Sequence, residues 1–259
     1  MPSELLTERQ NRTLVLTVSD PATRNTLSPQ VYAAGVEALN TAEADDAVRC
    51  VVLRGDGAHF CSGGNLQRLA HNRTVGPHEQ LQSIERFHEF IQALRTFPKP
   101  VIAAVEGAAA GGGFSLALAC DLIVAAEDAT FVMSYARAGL SPDGGGTFHL
   151  AQALPRALLL QMLWLPEPMP ARTLLQHGLV NLVTDSGQTL PEALRLAERL
   201  ATMAPNAIAS AKELANQALG RRLHEQLDAE RDHFVVNLFH ANGAEGLQAF
   251  LEKRPPRFH

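Results

Sequence analysis

Two glycine-rich segments carry the residues best suited to chemistry. The first reads VVLRGDGAHFCSGGN at 51–65, and the second reads VIAAVEGAAAGGGFSLALACD at 101–121. In each, an apolar strand precedes a glycine turn, and glycine lets backbone N–H groups face a ligand without an intervening side chain. A helix that begins at such a turn adds the positive end of its dipole. Two such turns can aim one N–H each at a single oxygen atom, which is an oxyanion hole.

Other motifs that use glycine fit these segments less well. The dinucleotide fingerprint GxGxxG is absent, because Gly111 and Gly113 are followed by Leu116 where the third glycine belongs. No Gly-Lys-Ser/Thr occurs, which excludes a Walker A loop. The segment GFSLA at 113–117 is close to GxSxG, but Ser115 is expected inside a helix rather than in the turn directly after a strand. A serine hydrolase therefore stays a minor alternative.

Composition excludes several function classes. The net charge is −5 and no stripe of lysine and arginine is visible, which argues against a nucleic-acid partner. The ten histidines form no HxH or HxxxH pair, so we expect no metal. Cys50, Cys61 and Cys120 form no CxxC pair, and we expect them to be small buried side chains in a reducing compartment such as the cytoplasm.

The apolar stretch at 101–126 needs to be distinguished from a membrane span. Its three consecutive glycines at 111–113 would weaken a helix at its centre. Glu106 and Asp121 would also be costly within a bilayer. A buried strand, a glycine turn and a buried helix explain the composition better, so no membrane association is expected.

The elements that must position these turns follow from hydrophobic periodicity. Strands are predicted over 13–18, 49–54, 101–105, 122–126 and 130–133. Helices are predicted over 29–40 and 77–97, with a polar loop at 71–78. After Pro142 the chain is predicted to be helical only, over 144–153, 156–163, 170–177, 189–203, 206–220, 223–240 and 244–253. That order predicts an α/β core followed by a C-terminal helical region.

Five ordered blocks of sequence resemble the crotonase (enoyl-CoA hydratase/isomerase) superfamily. They are RNTL at 24–27, FCSGGNL at 60–66, PKPVIAAVEGAAAGGGFSLALACDLIVAA at 98–126, FVMSYARAGLSPDGGGT at 131–147 and AFLEKRPP at 249–256. The resemblance implies an α/β fold, a crotonase-like spiral of ββα units that holds a CoA site over 1–200. It also implies a C-terminal helical trimerisation region over 201–259 and a homotrimer or dimer of trimers.

The resemblance implies an acyl-CoA thioester as substrate, with no further cofactor because CoA is part of that substrate. It places the oxyanion-hole N–H groups at Gly64 and Gly112, in the two turns already described. It also implies a set of CoA-binding positions, of which the last two would approach from a neighbouring subunit. They are Ala22, Arg24, Ser62, Gly63, Phe234 and Lys253.

The reaction is indicated by one departure from the family pattern. Typical hydratases of the family have two glutamates in the site, and the matching positions here are Ser115 and Tyr135. Asp143, in SPDGGG, stands where some members carry their working carboxylate. One carboxylate can carry a proton from the γ to the α carbon, so isomerisation with Asp143 as shuttle is favoured. Two alternatives stay open: a hydratase whose water is held by Ser115 or Tyr135 beside Asp143, and a non-catalytic acyl-CoA binder.

Overall fold

The computed structural model describes residues 3–259, which form two β-sheets and the helices packed around them. The strands are β1 (Glu4–Gln10), β2 (Thr13–Ser19), β3 (Cys50–Gly55), β4 (Val101–Val105), β5 (Ala108–Ala110), β6 (Leu122–Ala126), β7 (Thr130–Val132), β8 (Met169–Pro170) and β9 (Leu182–Thr184). The helices are α1 (Pro29–Ala44), α2 (Leu66–Val75), α3 (Pro77–Thr96), α4 (Gly112–Ala119), α5 (Gly146–Ala153), α6 (Arg156–Trp164), α7 (Ala171–Gln176), α8 (Thr189–Ala201), α9 (Pro205–Ala218), α10 (Leu223–Leu238) and α11 (Ala241–Leu251).

Consecutive strands of the chain are divided between the two sheets. The larger sheet has the order β1-β2-β3-β4-β6-β9 and the smaller one has the order β5-β7-β8. In the larger sheet β1 and β2 are antiparallel, and all other neighbours are parallel. Strand β4 lies in the larger sheet while β5 lies in the smaller one, and β6 and β7 repeat that division. A helix follows each such pair, so the chain climbs in ββα steps as predicted.

Strand β4 is buried on both faces, which explains its continuous apolar sequence. Its alternate residues belong to two clusters. Val101 and Ala103 face a core that contains the inner sides of α1 and α3, whereas Ile102 and Ala104 face Ala193 and other buried residues of α8. The sheet is therefore covered by helices on both sides, and the glycine turn after β4 begins inside the protein.

The segment at 71–78 was predicted to be a loop, and that prediction is wrong. Helix α2 covers most of it, and α3 begins at Pro77 after a break at Gly76, whose φ is 138°. The sequence LQRLAHNRTV has little apolar periodicity, so nothing in it indicates a helix. Its beginning is fixed by Asn65, whose side chain accepts a hydrogen bond from the N–H of Arg68.

Other differences from the predicted elements lie at the seven-residue strand β1 and at two short strands. Strand β1 was not predicted, and β8 and β9 interrupt the part of the chain after Pro142 that was expected to be helical only. Strands of two or three residues are too short to show a period. The helix predicted from Gly144 begins two residues later, because Gly144 and Gly145 both have positive φ.

The last three helices are tied to the core through a buried lysine. Lys212 of α9 donates hydrogen bonds from Nζ to the carbonyl groups of Leu94 and Lys99. Its Nζ also lies 2.7 Å from Oδ2 of Asp121, which in turn accepts from the N–H of Val101. No helix within residues 3–259 is both long and apolar enough to span a bilayer.

The three cysteines are buried and unpaired, which confirms the expectation that they pack as small side chains. Burial raises the pKa of the Cys61 thiol to about 12. A thiol in that state is a poor nucleophile at neutral pH. Cys61 therefore belongs to the packing of the first glycine turn and not to its chemistry.

Candidate active site

The two glycine turns are joined by a short parallel bridge. Cys61 of the first turn pairs with Ala109 in β5 of the second. The N–H of Cys61 donates to the carbonyl of Ala108 at 3.1 Å, and the N–H of Ala110 donates to the carbonyl of Cys61 at 2.9 Å. These bonds fix the register between the two segments, so the residues that follow each of them lie side by side.

Gly63 shows how closely the turns approach. Its φ is +87°, which favours glycine. An added Cβ there would lie 2.6 Å from the carbonyl oxygen of Ala110 and 3.0 Å from the nitrogen of Gly112. The contact with the Ala110 oxygen is shorter than a Cβ tolerates and the contact with the Gly112 nitrogen is tight, so any larger residue would push the turns apart. The backbone after Cys61 therefore reaches the beginning of α4 only because position 63 is glycine.

The N–H groups of Gly64 and Gly112 are both without a partner. Neither donates a hydrogen bond to any group within residues 3–259. Gly112 is the first residue of α4, where amides have no carbonyl to bind within the helix, and the whole of α4 is buried. A buried backbone amide such as that of Gly112 is rarely left unpaired unless a ligand or water takes the bond, whereas Gly64 is exposed to solvent. Two adjacent turns thus offer free donors, and their alignment on one oxygen stays a prediction.

Asp143 lies beside these turns in the segment that leads into α5. Its side chain is half-buried, and its Oδ1 accepts a hydrogen bond of 2.7 Å from the hydroxyl of Tyr135. The hydroxyl of Ser115 donates to the backbone carbonyl of Asp143 at 2.9 Å. The Ser115 and Tyr135 oxygens are 3.4 Å apart. The three polar residues singled out from the sequence are therefore brought into one cluster.

The glycines after Asp143 hold its turn against the site. At Gly144, φ is +60°, and an added Cβ would lie 2.4 Å from the ring of Phe87. The N–H of Gly144 donates to Nε2 of His88 at 3.3 Å. The ring of Phe87 also lies 3.6 Å from where a Cβ of Gly112 would stand. Helix α3 therefore places an aromatic ring between Gly112 and the turn at Gly144.

Sequence reasoning did not identify Phe87 and His88 as residues of the site. Phe87 was recognised only as one of the apolar positions that recur at helical spacing in α3. His88 follows it with no signal of its own, since isolated histidines are common on helix surfaces. Only the packing of α3 against the turn at Gly144 shows that both residues border Asp143.

Two titratable side chains near Asp143, those of Tyr135 and His149, have shifted pKa values that keep them uncharged at neutral pH. Burial raises the pKa of Tyr135 well above its usual range, and the nearby charge of Asp143 adds to that rise. Tyr135 is therefore a hydrogen-bond donor and not a base at neutral pH. Burial lowers the pKa of His149, whose ring lies against Gly145, to about 4, and the charge of Arg95 contributes to that shift. His149 is therefore uncharged at neutral pH.

Ser115 does not have the surroundings of a hydrolase nucleophile. It is fully buried within α4, and its hydroxyl donates to the backbone of Asp143. No histidine within residues 3–259 forms a hydrogen bond with it. A serine nucleophile needs a neighbouring base and an exposed position at the top of a turn. The structure therefore offers the serine hydrolase interpretation no support.

The residues expected to bind CoA fall into two groups. Ser62 donates from its N–H to the carbonyl of Arg24 and from its hydroxyl to the carbonyl of Thr23, both at 2.9 Å. The exposed Ala22 and Arg24 therefore lie next to the half-buried Ser62 and the buried Gly63, in the segment that leads to Gly64. Phe234 lies on α10, where it is 68% exposed, and Lys253 lies in the turn that follows α11. Their role in a neighbouring subunit stays a prediction.

Known proteins match this sequence along nearly the whole chain. A model of the enoyl-CoA hydratase/isomerase family matches residues 8–259. The 1,2-epoxyphenylacetyl-CoA isomerase of Escherichia coli (strain K12) is 36% identical over 256 residues, which cover 98% of this chain and 97% of that protein. The 2,3-dehydroadipyl-CoA hydratase of the same strain is 34% identical over 256 residues, which cover 99% of this chain and 98% of that protein.

Solved structures identify the fold. The crystal structure of an enoyl-CoA hydratase from Polaromonas sp. JS666 superimposes with a TM-score of 0.98 at 56% sequence identity. The match covers 99% of this chain and 100% of the other. The predicted crotonase-like spiral is therefore confirmed. The chain therefore belongs to the enoyl-CoA hydratase/isomerase family of the crotonase superfamily, whose substrates are acyl-CoA thioesters.

Proposed function

We propose that this enzyme isomerises a double bond or a ring in an acyl-CoA thioester, with Asp143 as the proton shuttle. One observation carries the proposal. Tyr135 donates to the carboxylate of Asp143 and Ser115 donates to its backbone carbonyl. By resemblance, these two residues match the positions at which family hydratases have glutamates. The polar cluster is thus built around a single carboxylate.

The proposed oxyanion hole would lower the barrier to proton removal. When the bond between carbon and hydrogen breaks next to the thioester, its electron pair moves toward the carbonyl oxygen and forms an enolate. The free N–H groups of Gly64 and Gly112 would donate to that oxygen. One such donor contributes a factor of about 10²–10³ in kcat in well-studied enzymes.

Asp143 would move the proton through its second oxygen. Tyr135 binds Oδ1, and Oδ2 has no hydrogen-bond partner within residues 3–259. Oδ2 would take the proton from the γ carbon while the electron pair spreads into a dienolate. It would then return the same proton to the α carbon, which shifts the double bond without any further reactant. During both steps the Tyr135 hydroxyl would hold the carboxylate, and the Ser115 hydroxyl would hold the backbone of Asp143.

A relative with a related chemistry supports this choice. The Escherichia coli protein that is 36% identical is named an isomerase of 1,2-epoxyphenylacetyl-CoA. Rearranging a ring next to a thioester needs charge stabilisation at the same carbonyl oxygen. The proposal therefore covers ring as well as double-bond isomerisation.

The Asp143→Asn variant tests the shuttle. Asparagine keeps the shape but cannot accept the proton, so we expect kcat to fall by about 10²–10⁴ with little change in acyl-CoA affinity. Turnover is followed by the absorbance of the conjugated enoyl thioester formed from a β,γ-unsaturated acyl-CoA. With a β,γ-unsaturated substrate deuterated at the α carbon, wild-type enzyme should deliver deuterium to the γ carbon, since this is the reverse direction of the same shuttle. Full turnover by Asp143→Asn on a substrate that the wild type converts would overturn the proposal.

Hydration is the second candidate, because the relative that is 34% identical is named a hydratase. In that reaction Asp143 would act on a water held by Ser115 or Tyr135. Mass spectrometry of the same reaction mixtures separates the candidates, since a hydratase adds one water to an α,β-unsaturated acyl-CoA. A product of unchanged mass with a moved double bond identifies an isomerase.

The remaining functional expectations belong to the same proposal. We expect a homotrimer or dimer of trimers, in which Phe234 and Lys253 of a neighbouring subunit approach the nucleotide end of CoA. We expect no cofactor other than the CoA of the substrate. Helices α10 and α11 expose apolar side chains that suit burial between subunits. They include Phe234, Val236, Phe239, Leu247, Phe250 and Leu251.

A further inference from the structure

Arg68 is a cation without a counter-ion next to the first glycine turn. It lies in the first turn of α2, and Asn65, which immediately follows Gly64, caps its backbone N–H. Its side chain is half-buried, and its Nε is buried without a hydrogen-bond partner. No carboxylate within residues 3–259 forms an ion pair with it. A buried guanidinium nitrogen that lacks a partner is costly unless a ligand supplies one.

Arg68 is close to the site through Tyr32 and Phe87. Burial raises the pKa of Tyr32 to about 12, and the neighbouring Arg68 guanidinium opposes part of that rise. The Tyr32 ring lies 5.1 Å from the Phe87 ring, centroid to centroid. Phe87 in turn borders Gly112 and Gly144. The ring of Phe87 therefore lies between the Arg68 and Tyr32 pair on one side and the proposed thioester site on the other.

Asp143 forms no ion pair with Arg68. The charge of Asp143 adds to the rise in the pKa of Tyr32, and the Oδ1 atom of Asp143 accepts the hydrogen bond of Tyr135. No carboxylate oxygen within residues 3–259 lies within 4 Å of the Arg68 guanidinium nitrogens, so the guanidinium is available to an anion that enters with the acyl group.

We propose that Arg68, together with the Tyr32 hydroxyl, binds a carboxylate at the far end of the acyl group. The substrate class is then CoA thioesters of dicarboxylic acids. A guanidinium binds a carboxylate through two parallel hydrogen bonds, and a neutral phenol can donate a third. The inference rests on the proposed function, because it requires the thioester carbonyl to lie at Gly64 and Gly112.

Binding of saturated acyl-CoA pairs tests this inference without any turnover. Isothermal titration would compare adipyl-CoA with hexanoyl-CoA, and glutaryl-CoA with pentanoyl-CoA, which differ in pairs only by the terminal carboxylate. We expect wild-type protein to bind the carboxylated member of at least one pair about tenfold more tightly or better. Arg68→Met should remove that preference and leave the affinity for the uncharged member unchanged. Arg68→Lys, which keeps the charge but not the paired donors, should retain part of it.

Two results would overturn the inference. One is equal binding of both members of each pair by the wild type. The other is an equal loss for both members in Arg68→Met, which would mean that Arg68 contacts the phosphates of CoA or only supports the fold. Other results would show that the proposed function is wrong. One is that no saturated acyl-CoA binds at all. The other is that Asp143→Asn keeps its turnover while the preference for the carboxylated acyl-CoA persists.

Discussion

Gly63 and Gly64 are neighbours in sequence with opposite steric requirements. An added Cβ at Gly63 would collide with the carbonyl of Ala110, whereas at Gly64 the only atom within 4 Å would be Cδ1 of Leu69 at 3.9 Å. Gly64 also lies outside the set of glycines with positive φ. Side chains are therefore tolerated at Gly64, and what its proposed role requires is the backbone N–H itself.

This difference gives a matched pair of variants. Gly64→Ala keeps the N–H, and we expect a kcat close to that of the wild type. Gly64→Pro removes the N–H, and we expect kcat to fall by about 10²–10³, as for the loss of one oxyanion donor. Steady-state kinetics on one acyl-CoA substrate provide the comparison, with circular dichroism as the control for folding. Equal activity of folded Gly64→Pro and Gly64→Ala would exclude Gly64 from the hole.

The sequence could predict the glycine turns but not every residue that borders them. Strand, turn and helix follow each other directly in both segments, so local patterns were sufficient there. Ser115, Tyr135 and Asp143 are far apart in sequence, and only the family resemblance grouped them. Arg68 and His88 had no such support, because their importance depends on how α2 and α3 pack against the turns.

At the scale of elements, the helical region after residue 200 depends on the contacts of α9. Lys212 has a side chain only 10% exposed, and its partner Asp121 is 21% exposed. Removing the lysine leaves a poorly solvated carboxylate and two carbonyl groups without their donor. We therefore expect Lys212→Met to reduce the free energy of unfolding by about 3 kcal/mol.

An exposed ion pair provides the control. Arg172 and Glu127 form a salt bridge with side chains 69% and 50% exposed. We expect Arg172→Met to cost less than about 1 kcal/mol. Urea denaturation of both variants measures the two values. Equal, small losses would show that Lys212 does not anchor α9.

The elements with strong periodicity were predicted well, and those without it were not. Strands β2, β3, β4 and β6 are apolar runs between turn residues, which made them visible in the sequence. Helix α2 is polar and is held by the Asn65 cap and by packing on α3, so no period reveals it. The three-residue strands β5 and β9 exist because the neighbouring strands are already in place. Tertiary pairing, and not local propensity, determines them.

At the scale of the whole molecule, the protein has only two tyrosines, of which Tyr32 is buried and Tyr135 is half-buried, both near the site. Burial raises the pKa of Tyr32 to about 12 and raises the pKa of Tyr135 further above its usual range. The unfolded chain would release both phenol protons near the ordinary value of about 10. Because the folded protein keeps these protons longer, stability should be unaffected below about pH 10 and decline as pH rises toward 12 and beyond.

A spectrophotometric titration measures this directly. We expect native protein to show almost no tyrosinate absorbance at pH 11, and protein unfolded in guanidinium to show both tyrosines ionised. Ionisation in the native state near pH 10 would mean that the two hydroxyl groups are exposed to water. Tyr135 could then not be the protonated hydrogen-bond donor, shielded from water, that the proposed mechanism requires.

The central claim is that the N–H groups of Gly64 and Gly112 bind the same thioester oxygen. A crystal structure of the Asp143→Asn variant with a saturated acyl-CoA tests it most directly, because neither the protein nor the ligand can react. We predict the carbonyl oxygen within about 2.7–3.1 Å of both nitrogens, with the acyl chain leading toward Phe87. A bound thioester whose oxygen contacts neither amide, or only one of them, would contradict the account.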